Sequence, residues 1–244
     1  MKINIVMYHY VKDYNLKKNK GYKGLSINKF INQINYLQKK YEIIDIRNLL
    51  NNNFFKESHK KEYCLLTFDD GYIDHYENVF PILQKKKITG SFYMSGGILD
   101  NKKLLNVNKI HYILANLKEK EIIKNLKAIY VSERPRNNFE EIFKNLKNLS
   151  RYDNSNVNLI KFIINKFFSE KEKNQFFKLI FNEILKIKER DICKNFYLNI
   201  RNINEMRKGG MYFGGHGYNH FKMTDLNSSE LDIEINKTIK FLNK

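Results

Sequence analysis

Two short clusters carry side chains whose types and spacing suit chemistry: Thr67-Phe68-Asp69-Asp70-Gly71 and Gly215-His216-Gly217-Tyr218-Asn219-His220. Imidazoles at i and i+4 on one helical turn can grip a single cation, with a carboxylate from another strand as third ligand. Two histidines and one carboxylate leave a coordination position open for water, which is the catalytic rather than the structural pattern for zinc. Adjacent carboxylates at a strand end point apart, so one can bind the cation while its neighbour stands beside the water as general base. Each cluster also has an ordinary reading. Asp-Gly is a turn signal, and two histidines four apart more often satisfy hydrogen bonds than hold metal. Their joint occurrence at the ends of buried strands favours the chemical reading, because parallel α/β folds collect ligands at the C-terminal ends of strands.

The elements that must position these groups follow from the apolar patterning. Ile3–Met7 and Tyr63–Phe68 are nearly continuous apolar runs that predict buried strands, with further strands at Ile43–Ile46, Ser91–Met94 and Met211–Phe213. Between them, Ser26 is placed to cap a helix with Phe30, Ile34, Leu37 and Tyr41 on one face. A second helix carries Tyr76, Val79, Phe80 and Leu83, with Pro81 either kinking it or starting its second part. Lys12–Gly24 and Asn51–Lys61 read as loops. Strand, helix, strand in this order implies parallel pairing with helices outside. From about Val107 to Asn195 the pattern changes to Lys-rich amphipathic helices without a clear strand, and we read residues 106–198 as a helical insertion between parts 1–105 and 199–244 of one α/β domain. A short helix over Ile203–Lys208 and a last helix capped by Asn227 or Ser228, with Leu231, Ile235, Ile239 and Leu242 on one face, complete the prediction.

The composition supports a folded core, with 42% hydrophobic and 14% aromatic residues among 244. The formal charge of +18 is spread over helices and loops alike, without the interleaved aromatics of a nucleic-acid motif, so no specific nucleic-acid partner is expected. It is compatible with an anionic sugar substrate. No window is apolar enough to span a membrane, leaving at most peripheral contact, and no export leader precedes the first strand, so a cytoplasmic location is expected. Cys64 and Cys193 read as reduced and structural.

With these residues in view, the chain resembles the polysaccharide deacetylases of carbohydrate esterase family 4, the NodB-homology domain. Thr67–Gly71 is similar to the family's first motif, His216 and His220 to its His-Ser/Thr-x-x-His motif, and Phe80–Leu83 and Gly90–Tyr93 to the segment following the first motif. Met7-Tyr8-His9 resembles the N-terminal Tyr-His of members with permuted motif order. Gly217 departs from the family's Ser or Thr, and Lys244 falls before the expected third motif, so the resemblance implies an incomplete or distorted, parallel-stranded (β/α) barrel of the NodB type.

The resemblance further implies a divalent metal, zinc foremost, on Asp70, His216 and His220, with Asp69 as base and His9 as acid. Tyr10, Tyr72 and Tyr218 flank the motifs and suit either stacking on a sugar ring or packing. The implied reaction is metal-dependent removal of N-acetyl groups from a sugar or polysaccharide, in surface-glycan biosynthesis. The alternatives are a non-catalytic carbohydrate-binding relative that keeps the metal site, and a basic nucleic-acid-binding protein with a nuclease-like centre.

Overall fold

The computed structural model describes residues 2–19, 21–51, 54, 62–101, 103–133, 139, 141–142 and 153–243. Most of the expected 51–61 loop, including His59, lies outside the described residues, as does Lys244. Among the described residues seven strands form: β1 (Lys2–Tyr8), β2 (Val11–Lys12), β3 (Leu25–Ser26), β4 (Glu42–Ile44), β5 (Glu62–Phe68), β6 (Ser91–Met94) and β7 (Tyr212–Gly215). The helices used below are α1 (Ile27–Lys40), α2 (Phe80–Lys85), α3 (Gly97–Asn101), α4 (Asn106–Asn116), α5 (Glu119–Glu133), α6 (Ser155–Phe162), α7 (Glu170–Lys178), α8 (Glu189–Cys193), α9 (Ile200–Lys208) and α10 (Ser228–Leu242).

Two compact units result, one of Met1–Asn19, Lys23–Leu105 and Ile192–Lys244, the other of Lys20–Tyr22 and Asn106–Asp191. The first holds a parallel sheet in the order β1-β5-β6-β7, with β4 also on β5. Strand β5 pairs with β1 along its whole length, Glu62 to Phe68. Its pairings with β4, at Tyr63–Leu65, and with β6, at Thr67–Phe68, are consecutive. This centrality explains the unbroken apolar run, since all of Tyr63–Phe68 is buried. The ring of Phe68 stacks on Phe92 at 4.7 Å and on Tyr8 at 5.3 Å, while Phe30 and Ile34 of α1 close over them. Each such side chain contributes about 1.5–3 kcal/mol by leaving water. Among the described residues the sheet stays open, with β1 and β7 at its edges, so the architecture is an α/β sheet of the incomplete-barrel kind.

The local signals are realised with some shifts. Ser26 caps α1 through Lys29 N, and Pro81 lies in the first turn of α2, directly after a π-helical turn over His75–Val79. The short helix before β7 begins earlier than its apolar pattern, at Ile200, because Asn199 and Asn202 form a capping box. The expected Lys12–Gly24 loop is ordered at its start, where β2 pairs in parallel with β3 and Lys12 is buried. A lysine goes inside there because its Nζ sits 3.1 Å from Asp74 Oδ1, while Asp74 Oδ2 accepts the Val11 N–H at 3.0 Å. Asp74→Ala should therefore cost about 3–5 kcal/mol, the penalty for leaving a buried cation without its partner. A urea midpoint within error of the parent would show the pair to be dispensable.

The second unit is helical in its described residues. Ile122, Leu126 and Tyr130 recur every four residues on α5 and are buried, as are Leu159 and Ile160 of α6 and Phe176 and Phe177 of α7. Ser169 and Glu172 form the capping box that starts α7. Both cysteines are buried, and neither is in a disulfide. Among the described residues no helix is long and apolar enough to cross a membrane.

Candidate metal centre

The carboxyl end of β5 turns abruptly. Asp70 and Gly71 both adopt left-handed backbone, at φ 71° and 65°. Asp tolerates that region, and at position 71 the positive φ favours glycine, which carries no Cβ to strain there. The Asp69 N–H donates to the Tyr8 carbonyl at 3.0 Å, which ties this turn to the end of β1. Asp69 and Asp70 are both buried, at 8% and 2% exposure.

The end of β7 supplies the histidines from a loop, not from the helical turn that i, i+4 spacing suggested. Gly217 and His220 take left-handed conformations, at φ 72° and 60°, and these reversals rather than helical periodicity bring both imidazoles to one side. Neighbouring backbone fastens the loop. The His216 N–H donates to the Met94 carbonyl at 2.8 Å, Ser95 Oγ donates to the His216 carbonyl at 3.0 Å, and the Gly97 N–H donates to the Tyr218 carbonyl at 2.8 Å.

Asp70, His216 and His220 each present a ligand atom, and these atoms all lie within 4.8 Å of one another. Asp70 Oδ1 is buried without a hydrogen-bond partner, yet His216 Nε2 lies 3.5 Å and His220 Nε2 3.2 Å from it. Donor atoms ~2.0–2.1 Å from a tetrahedral ion stand about 3.3 Å apart, so the distances from the orphaned oxygen to the two nitrogens suit a zinc-type donor set. The other oxygen, Oδ2, accepts the Tyr72 hydroxyl at 2.5 Å, which orients the carboxylate.

The electrostatics separate the two neighbouring acids. Burial alone would raise the Asp70 carboxyl, but the His220 imidazole and the Tyr72 hydroxyl outweigh it and hold the pKa at about 2. Asp69 moves the other way, pushed up by burial against the pull of His216 and His9. His216 is pushed down by burial, and His220 is raised by its contact with Asp70. In the metal-free chain a depressed carboxyl pKa stabilises the fold above the unfolded value near 3.9, and this is lost as pH falls through about 2. The shift corresponds to roughly 2 kcal/mol. The stability difference between parent and Asp70→Asn, measured by urea unfolding in chelator, should therefore change by about that amount between pH 5 and pH 2. A constant difference across that range would remove the assignment of a depressed Asp70 pKa.

His9 is exposed at the end of β1, near enough for its charge to act on Asp69, Asp70 and His216. A groove of about 300 Å³ beside it is lined by Met7, Tyr8, Tyr10, Lys23 and Gln33, among others. Tyr10 and Tyr72 offer no open face to a sugar, because they are 5% and 1% exposed and stack on each other at 4.1 Å. Tyr218 is half-buried, with its hydroxyl donating to Asp100 Oδ2 at 2.9 Å. His75, one turn beyond the Asp pair, is fully buried, and its Nε2 lies 2.9 Å from the His9 carbonyl oxygen. Its ring is enclosed by Phe68, Tyr72 and Phe92, and it helps hold the end of β1. Sequence reasoning also missed Ser95 and Glu234, which brace the histidine loop; a serine after a strand and a glutamate on a helix carry no distinguishing signal.

Fold and site together define an α/β protein with a cation-type donor set at the carboxyl ends of parallel strands β5 and β7, which flank β6. The family model that matches is polysaccharide deacetylase, over residues 56–128, which takes in the Asp-Asp-Gly turn but not His9, His216 or His220. No curated protein matches the chain. Among solved structures it is similar to the Streptococcus pyogenes deacetylase PplD in complex with acetate, at 15% identity and TM-score 0.48, covering 100% of this chain and 67% of that one. It is also similar to a de-N-acetylase from Aggregatibacter actinomycetemcomitans, at 16% identity and TM-score 0.44, covering 88% of this chain and 54% of that one. A third is IcaB from Ammonifex degensii, at 23% identity and TM-score 0.34, with 40% of each chain covered. The chain thus spans between about two fifths and two thirds of the length of these structures.

Proposed function

We propose that the chain hydrolyses the acetamide of an N-acetylated sugar, with Asp70, His216 and His220 holding a divalent cation, zinc first among candidates. The observation that carries this is the orphaned Asp70 Oδ1 facing two imidazole nitrogens, with a second carboxylate of raised pKa next to it. When bound, the cation supplies Lewis-acid polarisation of the acetamide carbonyl and acidifies water. Asp69 accepts the proton of the attacking water, a task suited to a carboxylate whose burial has lifted its pKa. His9, exposed beside the groove, donates a proton to the departing amine. The C–N bond breaks, acetate leaves, and the sugar retains a free amine. Asp70 stays ionised and, fixed by Tyr72, keeps its orientation.

We place the reaction in surface-glycan synthesis in the cytoplasm. The formal charge of +18 suits a substrate carried on phosphate, as a nucleotide- or lipid-linked sugar. The test is acetate release from N-acetylglucosamine oligomers and from a nucleotide-linked N-acetylhexosamine, with the protein loaded with zinc or cobalt. Release that is abolished by chelator and restored by metal is expected. No release from either substrate by metal-loaded protein would overturn the reading.

A further inference from the structure

Helix α10 presents an amphipathic sequence, yet the one residue it buries is a carboxylate: Glu234, 2% exposed. No lysine or arginine pairs with it among the described residues. Its partners are all in the histidine loop. Oε1 accepts the backbone N–H groups of Tyr218 at 2.8 Å and Asn219 at 2.5 Å, and Oε2 accepts Asn219 Nδ2 at 2.8 Å. Burying a carboxylate without a cation is costly unless several donors converge on it, and here consecutive backbone amides and a side-chain amide do so. These amides lie between the two candidate ligands. The space Oε1 occupies also borders Gly217, where a Cβ would come within 3.2 Å of that oxygen. On its other side the loop is fixed by Ser95, Gly96 and Gly97. The left-handed backbone at His220 is a sparsely populated conformation for a residue with a side chain, and it persists only when surrounding contacts determine it.

From these contacts we infer that Glu234 is the positioning residue of the cation site: it clamps the Tyr218–Asn219 amides so that His216 and His220 stay aimed at Asp70. This rests on the metal-site reading above. A preset loop binds the cation without first having to order, so the clamp acts on affinity and coordination geometry, not only on folding.

The experiment compares the parent with Glu234→Ala, with the near-isosteric Glu234→Gln, and with Asp69→Asn as a control that leaves the clamp intact. Cobalt and zinc affinities are measured by competition with a chromophoric chelator, the cobalt d–d spectrum reports coordination geometry, and unfolding of the metal-free proteins reports stability. Glu234→Ala should weaken cobalt and zinc affinity about 10–100-fold and change the cobalt spectrum while the metal-free chain still folds, with Glu234→Gln intermediate. Should the alanine variant not fold, the glutamine variant decides by the same readouts. A folded variant whose affinity stays within twofold of the parent, with an unchanged spectrum, overturns the inference while leaving the metal site standing. A parent that binds no cobalt or zinc overturns the metal-site reading and this inference with it.

Discussion

Asp70→Ala should leave the purified protein without metal, whereas Asp69→Asn should retain it and lose turnover by roughly 10²–10⁴-fold. The two carboxylates are neighbours in sequence, but their surroundings shift their pKa values in opposite directions, and the proposed roles follow that difference. Asp70 turns an unpartnered oxygen toward His216 and His220 and is held ionised, so its removal strips a ligand and leaves two imidazoles facing an apolar methyl. Asp69 is not part of that donor set, and burial raises its pKa toward the range in which a carboxylate can take a proton from water. An asparagine there keeps shape and hydrogen bonding but cannot accept the proton. Elemental analysis of both variants beside an acetate-release assay separates the roles. Equal loss of metal in both would show that the base has been misassigned.

His9→Ala should leave metal content unchanged and lower turnover on an acetamide by roughly 10²–10⁴-fold, the usual worth of a positioned proton donor. The placement of His9 is determined from two directions. The parallel pairing of β1 with β5 sets Tyr8 beside Phe68, and the Asp69 N–H to Tyr8 carbonyl bond fixes the two strand ends together. Below, buried His75 holds the His9 carbonyl and Asp74 holds the next backbone amide but one, at Val11. The His9 ring itself remains exposed beside the groove. Because the defect lies in protonating the leaving amine, the variant should keep most of its activity on an acetyl ester with a good leaving group. Full acetamide activity in His9→Ala would end this role while leaving the metal site intact.

Much of the framework is legible in the chain itself. The continuous apolar run at Tyr63–Phe68 reads as a buried strand and forms central β5, whereas the run at Ile3–Met7 forms a strand without the expected burial, because β1 lies at the edge of the sheet and leaves Ile5 and Met7 65% and 61% exposed. The Asp pair and the spaced histidines each have an ordinary reading alone, and their joint occurrence at strand ends is what marks a candidate site. Local capping is equally readable, as Ser26 and Asn227 show, because a cap is a contact between residues a few positions apart.

What the chain alone did not settle are relations between groups far apart in sequence. Helical spacing of Leu231, Ile235, Ile239 and Leu242 marks an apolar stripe on α10, yet Ile235, Ile239 and Leu242 are 43–50% exposed and the buried residue is Glu234. Periodicity states that a face is apolar, while what lies opposite decides which face is covered. Likewise, Lys12 reads as a solvated loop lysine until Asp74, sixty-two positions on, neutralises it inside. The histidines read as one face of a helical turn, but left-handed backbone at Gly217 and His220, held by Ser95 on one side and Glu234 on the other, is what aims them. The sequence by itself marked the candidate residues for chemistry and the strands that bear them. Tertiary structure decided which oxygen of Asp70 is left unpaired, which acid is raised and which lowered, and what braces the loop, because each depends on burial and on partners that only folding brings within a few ångströms.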